Sequence, residues 1–464
     1  MVTDLSDFNN CIIRDHKENP IKLDIPKTVS WLKAKLSLKT DVTNGTILMY
    51  HGGTYKTTGD QYIDYILESS FGSYTNLNDN PILTNRVVEE IKGKIRRSTY
   101  VEAYIETSPQ MIPTFDNDLD IINMSNGYYN WRTGEFRPHD PDYLSRIQVA
   151  VAYDPEATCP TLDAIIRDVL HPRDVQKFYE FVGYCFYRGY VVQKCLLMYG
   201  PAGTGKSQLL NMIKNVVGAD NCSSVTFQDL GGRTASRFAT SKLLGKLVNI
   251  AGDLDSTQIP EIGKFKMLTS GADMIGAEFK GKDGFEFVNF SKIVYSANEL
   301  PFVRDRSEAF YRRVEALECP NKFKASDGKL DRLSAISDPG ELSGLFNAAI
   351  GLLPDLLDRG DFTNALTVAE AKYVYTRSSN TLEVFCDECI QDEMGSYVLK
   401  SDLYAAYKSY CQENKLAYID TQNGFGRAIK KVMGWTKGDE GFRPDPRTGK
   451  SQRAWLNTKL VYVP

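Results

Sequence analysis

Apolar residues recur along this chain at spacings that change from one stretch to the next, and the changes mark its parts. Helical spacing, with apolar side chains three and four residues apart, governs NRVVEEIKGKIRR (85–97), TLDAIIRDVL (161–170) and VQKFYEFVGYCFYRGY (175–190). TILMY (46–50) predicts a strand, YKTTGDQYIDYIL (55–67) is strand-like as well, and INMSNGYYNWRTGEFRPHDPDY (122–143) is rich in turn residues. From Cys195 to about Asn321 short apolar runs alternate with helical segments, the pattern of a parallel sheet with crossovers. Residues 322–360 predict helices. The expected division is an N-terminal extension (1–40), an α/β or mostly helical accessory domain (41–165), a parallel-sheet domain with lead-in and trailing helices (166–360), and a linker with a final unit (361–464).

The length of 464 residues agrees with about three domains at roughly 150 residues each. Hydrophobic residues make up 42% and charged residues 25%, enough to fill substantial cores. With 55 basic and 59 acidic residues the net charge is −4, so contact with nucleic acid must come from local basic patches. No apolar run approaches the roughly 20 residues of a membrane span and the start MVTDLSDFNN lacks a signal-peptide pattern, so a cytoplasmic protein with no membrane partner is expected, in a bacterial, archaeal or virus-infected cell. Nine scattered cysteines do not form a secreted framework. The lone CxxC, Cys386 and Cys389, has no second pair or histidines nearby and predicts helix packing, not a metal site. Asp116, Asp118 and Asp120 in TFDNDLDIIN form an acidic cluster of two-metal type, for which a polar loop capping a strand is the simpler account.

The chemistry concentrates after CLLMY (195–199). Gly200, Pro201, Ala202, Gly203, Thr204, Gly205, Lys206 and Ser207 meet the whole P-loop pattern between a predicted strand and a predicted helix with Leu209, Leu210 and Ile213 on its buried side. Glycines let successive N–H groups face phosphates at the positive end of the helix, Lys206 would reach the β- and γ-phosphates of ATP, and Ser207 would hold Mg2+. Asp253 and Asp255 follow the run Leu247–Ala251, where a P-loop enzyme needs an acid for its metal and water. A solvated strand-end turn explains acids there equally well. Asp253 is the expected metal acid, and Asp255 a supporting acid or the water-polarising base.

MIGAEFKGKDGFEFVNF (274–290) predicts a hairpin with Lys280 and Lys282 near its tip. A charged tip serves solubility in many hairpins, but this one stands between the acid and the next strand, SKIVYSAN, which ends on Asn298, an amide able to orient an attacking water. Arg312 and Arg313 then precede an apolar strand; the alternative to a catalytic role is pairing with acids such as Asp305 or Glu308. In the final unit, VLKSDLYAAYKSYCQENK is an amphipathic helix. NGFGRAIKKVMG is a second one, burying Phe425, Ile429, Val432 and Met433 and leaving Arg427, Lys430 and Lys431 on the other side. Two strands around a Gly/Pro-rich loop follow, carrying Arg443 and Arg447. From Arg427 to Arg453 eight Lys/Arg stand against three Asp/Glu, a local +5. Helix, basic helix and basic hairpin are the ingredients of a DNA-binding winged helix, with a solvated basic face as the alternative.

The order of P-loop, acid after GKLVNIAG, KMLTSGAD with its lysine hairpin, YSANELP and FYRRVEAL resembles the helicase domain of the phage/plasmid primase-helicase family, within superfamily 3 of the AAA+ ATPases. YHGGTYKTTG, NGYYNWRTGEFRPHDP and VAYDPEATCP are similar to the accessory domain found before that helicase, so the resemblance covers about 40 to 321. It implies an α/β fold with an AAA+ core, and a homo-oligomeric ring, usually a hexamer, that hydrolyses ATP between subunits. Such a ring moves single-stranded or forked DNA through its centre, typically 3′ to 5′. Arg312 and Arg313 match the arginine-finger region, and the hairpin lysines would track the DNA backbone. Many relatives carry a primase domain in front; with about 40 residues before the accessory region, primer synthesis is not expected of this chain alone, unless it is a fragment of a larger primase-helicase or works with a separate primase or polymerase. The alternative function is a replication initiator that binds origin duplex and uses ATP as an assembly switch.

Overall fold

The structure is a computed structural model that describes residues 6–42, 45–101, 104–107, 110–113, 115–231, 236–252, 254, 263–281, 283–300, 307–323, 334–379, 381–413, 419 and 421–461. The first core is built across position 40. Cys11, Leu23, Leu32, Ile47, Ile63, Leu67, Phe71, Ile91 and Ile95 pack together, so residues expected to form an extension share a core with those after it. Its sheet runs in the order Thr54–Lys56, Ile47–His51, Leu38–Asp41, Tyr100–Val101, with helices Ile25–Lys35, Gly59–Phe71 and Asn85–Ser98. The strand expected over 55–67 ends at Lys56. From Gly59 the chain is helical because Ile63, Ile66, Leu67 and Phe71 are three and four residues apart and all reach the core, a set that no two-residue alternation could bury together.

The turn-rich stretch becomes an antiparallel meander of Ile121–Met124, Gly127–Asn130 and Phe136–Arg137. Helices Pro160–Val169 and Pro172–Phe186 lead into a five-stranded parallel sheet in the spatial order Cys222–Ser223, Val248–Ala251, Lys292–Ala297, Cys195–Tyr199, Val314–Glu318. Both faces are covered. Leu196 and Met198 join one core with helices Lys206–Val217, Pro172–Phe186 and Pro339–Ile350, while Cys195 and Leu197 join another with Phe227, Phe265, Phe310 and Tyr375. Burial on two faces is why Cys195–Tyr199 is a continuous apolar run rather than an alternating one. A buried ion network ties lead-in to sheet: Lys177 donates to Glu315 (2.6 Å) and Asp174 (3.0 Å), and Lys194 donates to Glu315 (3.1 Å) and Asp361.

Phe362, Ala371 and Tyr375 still pack on these cores, and a separate core begins at Leu382. There helices Thr381–Cys389, Lys400–Glu413 and Gln422–Val432 pack on an antiparallel sheet in the order Ile390–Leu399, Ser451–Leu460, Glu440–Pro444. The first strand of this sheet, Ile390–Leu399, breaks its register with Ser451–Leu460 between Asp392 and Tyr397, which hides its periodicity in the sequence. Val432, expected to be buried, is 36% exposed, since the helix turns its Phe425–Ile429 stripe inward and ends there. Cys386 and Cys389 are free, buried in this core, and pushed up to about 12 by burial. Among the described residues no helix is long and apolar enough to cross a membrane.

Candidate nucleotide site and nucleic-acid interface

The glycine loop leaves the central region of the parallel sheet at Tyr199, the end of the strand flanked by Lys292–Ala297 and Val314–Glu318. Gly200, Gly203 and Gly205 have φ of 145°, 81° and 88°, conformations that strain any other residue. Space demands glycine as well. A Cβ on Gly200 would strike the Cys319 carbonyl oxygen, and one on Gly205 would stand 2.6 Å from Val169 Cγ2. The loop is held by Thr204 Oγ1 donating to Pro201 O (3.0 Å) and Phe323 N donating to Gly203 O (2.9 Å). Helix Lys206–Val217 then starts with no side-chain cap, so its first turn directs backbone N–H groups at whatever the loop receives.

Lys206 is buried, and its Nζ donates to Gly200 O (2.5 Å), Pro201 O (2.9 Å) and Asn298 Oδ1 (3.3 Å). Two residues singled out separately in the sequence thus meet, because strands Cys195–Tyr199 and Lys292–Ala297 pair in parallel and end at the same edge. Ser207 and Asn298 are exposed there. The chain leaving Val248–Ala251 reaches the same edge, where Leu254 N donates to Ser296 O (2.9 Å). Asp253, Asp255, Lys282 and Asp305 lie outside the described residues. An ammonium, an amide and a helix N-terminus converging at the carboxyl edge of a parallel sheet suit a polyphosphate anion.

The two arginines part company. Arg313 is only 7% exposed; its Nη1 donates to Ala309 O (2.9 Å), its carbonyl accepts from Cys195 N (2.8 Å), and burial, then the neighbouring Arg312, lowers its pKa. Arg312 is exposed and, among the described residues, has no carboxylate partner; its link to Glu308 is the backbone bond from Arg312 N. The hairpin forms as expected from Met274–Glu278 and Gly284–Val288, with Lys280 exposed at the turn beside Phe279, which stacks on Phe285 at 4.9 Å. The acidic cluster is structural. Asp116 accepts from Ser145 Oγ (2.7 Å) and Arg146 N, Asp120 pairs with Arg132 (2.9 Å), and Arg188 donates to the carbonyls of Asp116, Asp118 and Ile121. Among the described residues no group of three His, Cys, Asp or Glu is set to hold a metal ion.

The basic residues of the terminal unit divide by partner. Lys430 donates to Glu440 (2.6 Å) alongside Lys400, and together they hold the Glu440 carboxyl down to about 2. Arg447 donates to both oxygens of Asp402 (2.7 and 3.0 Å) and pairs with Asp445. These two cations serve the unit's own cohesion. Arg427 and Lys431, four residues apart on one exposed helix face, and Arg443 on the hairpin have no carboxylate partner among the described residues. Lys450 and Arg453, which sequence reasoning passed over, are in the same position. Their signal was the +5 count itself, which did not say which charges were already neutralised.

Fold and loop together define a mixed α/β protein with a parallel sheet and an anion-suited loop at its edge. Residues 78–171 match the family described as D5 N terminal like, residues 377–457 the family described as poxvirus D5 protein-like, and residues 198–313 a family of unknown function (DUF5906). The two D5-like matches lie on either side of the loop-bearing segment. Over 104 residues the chain is 29% identical to a mitochondrial AAA-ATPase of Arabidopsis thaliana, covering 21% of this chain and 20% of that one; it thus spans about a fifth of that relative's length. Among solved structures it is similar to the apo C-terminal region of NrS-1, residues 305–718, with 13% identity, a TM-score of 0.49 and coverage of 93% of this chain and 99% of that one. The A form of that region gives 13% identity, a TM-score of 0.48 and coverage of 92% and 97%.

Proposed function

We propose that this chain is an ATP-dependent DNA helicase of phage, plasmid or viral replication, acting as a homo-oligomeric AAA+ ring of superfamily 3. The observation that carries the reading is the convergence of Lys206, Asn298 and the Gly200–Gly205 loop at one sheet edge. The donors there are cationic or N–H, and the glycines supply the positive-φ backbone that curls the loop before the helix N-terminus, so a nucleoside triphosphate fits. Bound there, ATP would have its phosphates along the loop and Lys206, and Mg2+ would be held by Ser207 with Asp253. Asn298 would position the attacking water, and Arg312, exposed and without a carboxylate partner among the described residues, would serve a neighbouring subunit's γ-phosphate while Arg313 fixes the turn. Lys280 and Lys282 would grip single-stranded DNA. The terminal unit is read as a winged helix that presents Arg427, Lys431 and Arg443 to DNA phosphates. Translocation 3′ to 5′ and a hexameric ring are what the resemblance implies. For domains we propose an N-terminal unit running to about 101, a meander that leads into the motor, and a terminal unit from about 381.

ATP hydrolysis by size-fractionated protein, with and without single-stranded DNA, tests the reading. Lys206→Ala should abolish turnover and leave the fold intact; wild-type turnover by that variant would remove the nucleotide site from this loop. A second reading, an origin-binding initiator, draws on the Arg427–Lys431 face. Strand displacement on a fork without a sequence-specific duplex footprint favours the motor, and the converse favours the initiator.

A further inference from the structure

The terminal hairpin leaves one large apolar side chain uncovered. Phe442 is 63% exposed in the middle of strand Glu440–Pro444, and its partner across the hairpin is Arg453. The pairs Glu440 with Trp455, Phe442 with Arg453 and Pro444 with Ser451 share one face, alternating with Gly441–Ala454 and Arg443–Gln452. Trp455 is buried in the core with Lys400 Nζ 4.0 Å above its ring, and Glu440 is clasped by Lys400 and Lys430. Phe442 and Arg453 therefore continue the inward face of the hairpin one pair beyond the part that the helices cover.

The charge around this ring says what could cover it. Arg453, its cross-strand partner on the same face, and Lys450 just before that strand have no carboxylate partner among the described residues. Met394, 95% exposed, stands on the opposite edge strand after Asp392 and Glu393, so exposure alone does not distinguish Phe442; the guanidinium paired across from it does. An aromatic face with a guanidinium beside it suits a nucleobase and the phosphate next to it. In a closed duplex both faces of an interior base are already stacked, so the ring gains a partner only where a base is unpaired.

We propose that Phe442 stacks on an unpaired nucleobase while Arg453 meets the adjoining phosphate, so that the hairpin binds a junction between single strand and duplex. This rests on the reading of the terminal unit as a DNA-binding module. The test measures affinity of the full-length chain for a forked and a blunt duplex of equal paired length, with 2-aminopurine at the first unpaired position of the fork. Phe442→Ala should weaken fork binding about 5- to 150-fold, the range set by one base–aromatic stack. It should also abolish the quenching of 2-aminopurine, and leave blunt-duplex affinity and the salt slope unchanged; Phe442→Trp should retain all of these. Arg453→Ala should weaken fork binding and lower the salt slope by about one phosphate contact. Unchanged fork affinity in Phe442→Ala, or an equal loss on blunt duplex, overturns the stacking role. So does a loss of self-association in that variant with DNA affinity intact, because the ring would then be covered by another copy of the chain. If the wild-type chain binds neither DNA, or Arg427→Ala/Lys431→Ala leaves duplex affinity unchanged, the DNA-binding reading falls and this inference with it; normal behaviour of those controls with an unaltered Phe442→Ala defeats the inference alone.

Discussion

Replacing Arg312 and Arg313 one at a time separates catalysis from architecture at adjacent positions. Arg313 is nearly buried, donates to Ala309 O, and lies in the turn whose carbonyl begins the pairing with strand Cys195–Tyr199. Truncating it to alanine removes that bond and its packing and strands a half-buried acceptor, which costs about 1–3 kcal/mol of stability. Arg312 is exposed without a carboxylate partner among the described residues, so its removal should change stability by no more than about 0.5 kcal/mol. As a finger in trans, however, it would be worth about 10³ to 10⁵ in rate, because charge builds on the γ-phosphoryl oxygens during transfer. Thermal melting and steady-state ATP hydrolysis should therefore give opposite orders: Arg313→Ala melts early, and Arg312→Ala melts normally with hydrolysis almost gone. Mixing Arg312→Ala with Lys206→Ala protein under subunit exchange should restore hydrolysis, since random assembly around a head-to-tail ring gives about a quarter of the interfaces an intact loop and an intact finger. Wild-type turnover by an Arg312→Ala protein, or failure of the mixture to recover any activity, would refute the shared site.

Asp253→Asn should bind nucleotide but not turn it over, because metal and water positioning suffer more than phosphate contacts; a larger defect in Asp255→Asn on the same ATPase assay would exchange their roles. Lys280→Ala with Lys282→Ala should keep basal hydrolysis and lose stimulation by single-stranded DNA, with a shallower salt dependence of binding; unchanged unwinding would make this an ordinary solvated tip. Glu440 titrates near 2 when folded against an ordinary 4.5, so its contribution is complete above about pH 4.5 and is lost as pH falls toward 2. Melting followed between pH 5 and 2 should show a steeper fall for the wild type than for Glu440→Gln, and parallel curves would contradict the Lys400–Glu440–Lys430 clasp.

What the sequence alone determined is whatever depends on neighbours within one turn or one strand. The glycine loop, its strand and its helix are legible because φ, packing space and the N-terminus are local properties of residues 195–217. The same holds for the helices at 85–98, 160–169 and 172–186, whose apolar stripes repeat at 3.6 residues, and for the hairpin around Gly281. Local pattern failed at 59–71, where a nearby strand-like run masked a helical stripe, and at 390–399, where a break in register cancelled the alternation. The tertiary structure alone decided who meets whom. It brought Asn298 to Lys206 across 92 positions through sheet order, and it spent Lys430 and Arg447 on Glu440 and Asp402. It also turned Arg313 inward and Arg312 outward, because one is the last residue before a strand pairs with Cys195–Tyr199 and the other ends the short helix before it. Charge and hydropathy are properties of a residue, but availability depends on the side chains that folding brings within a few ångströms of it, and those contacts span sequence separations that no local periodicity records.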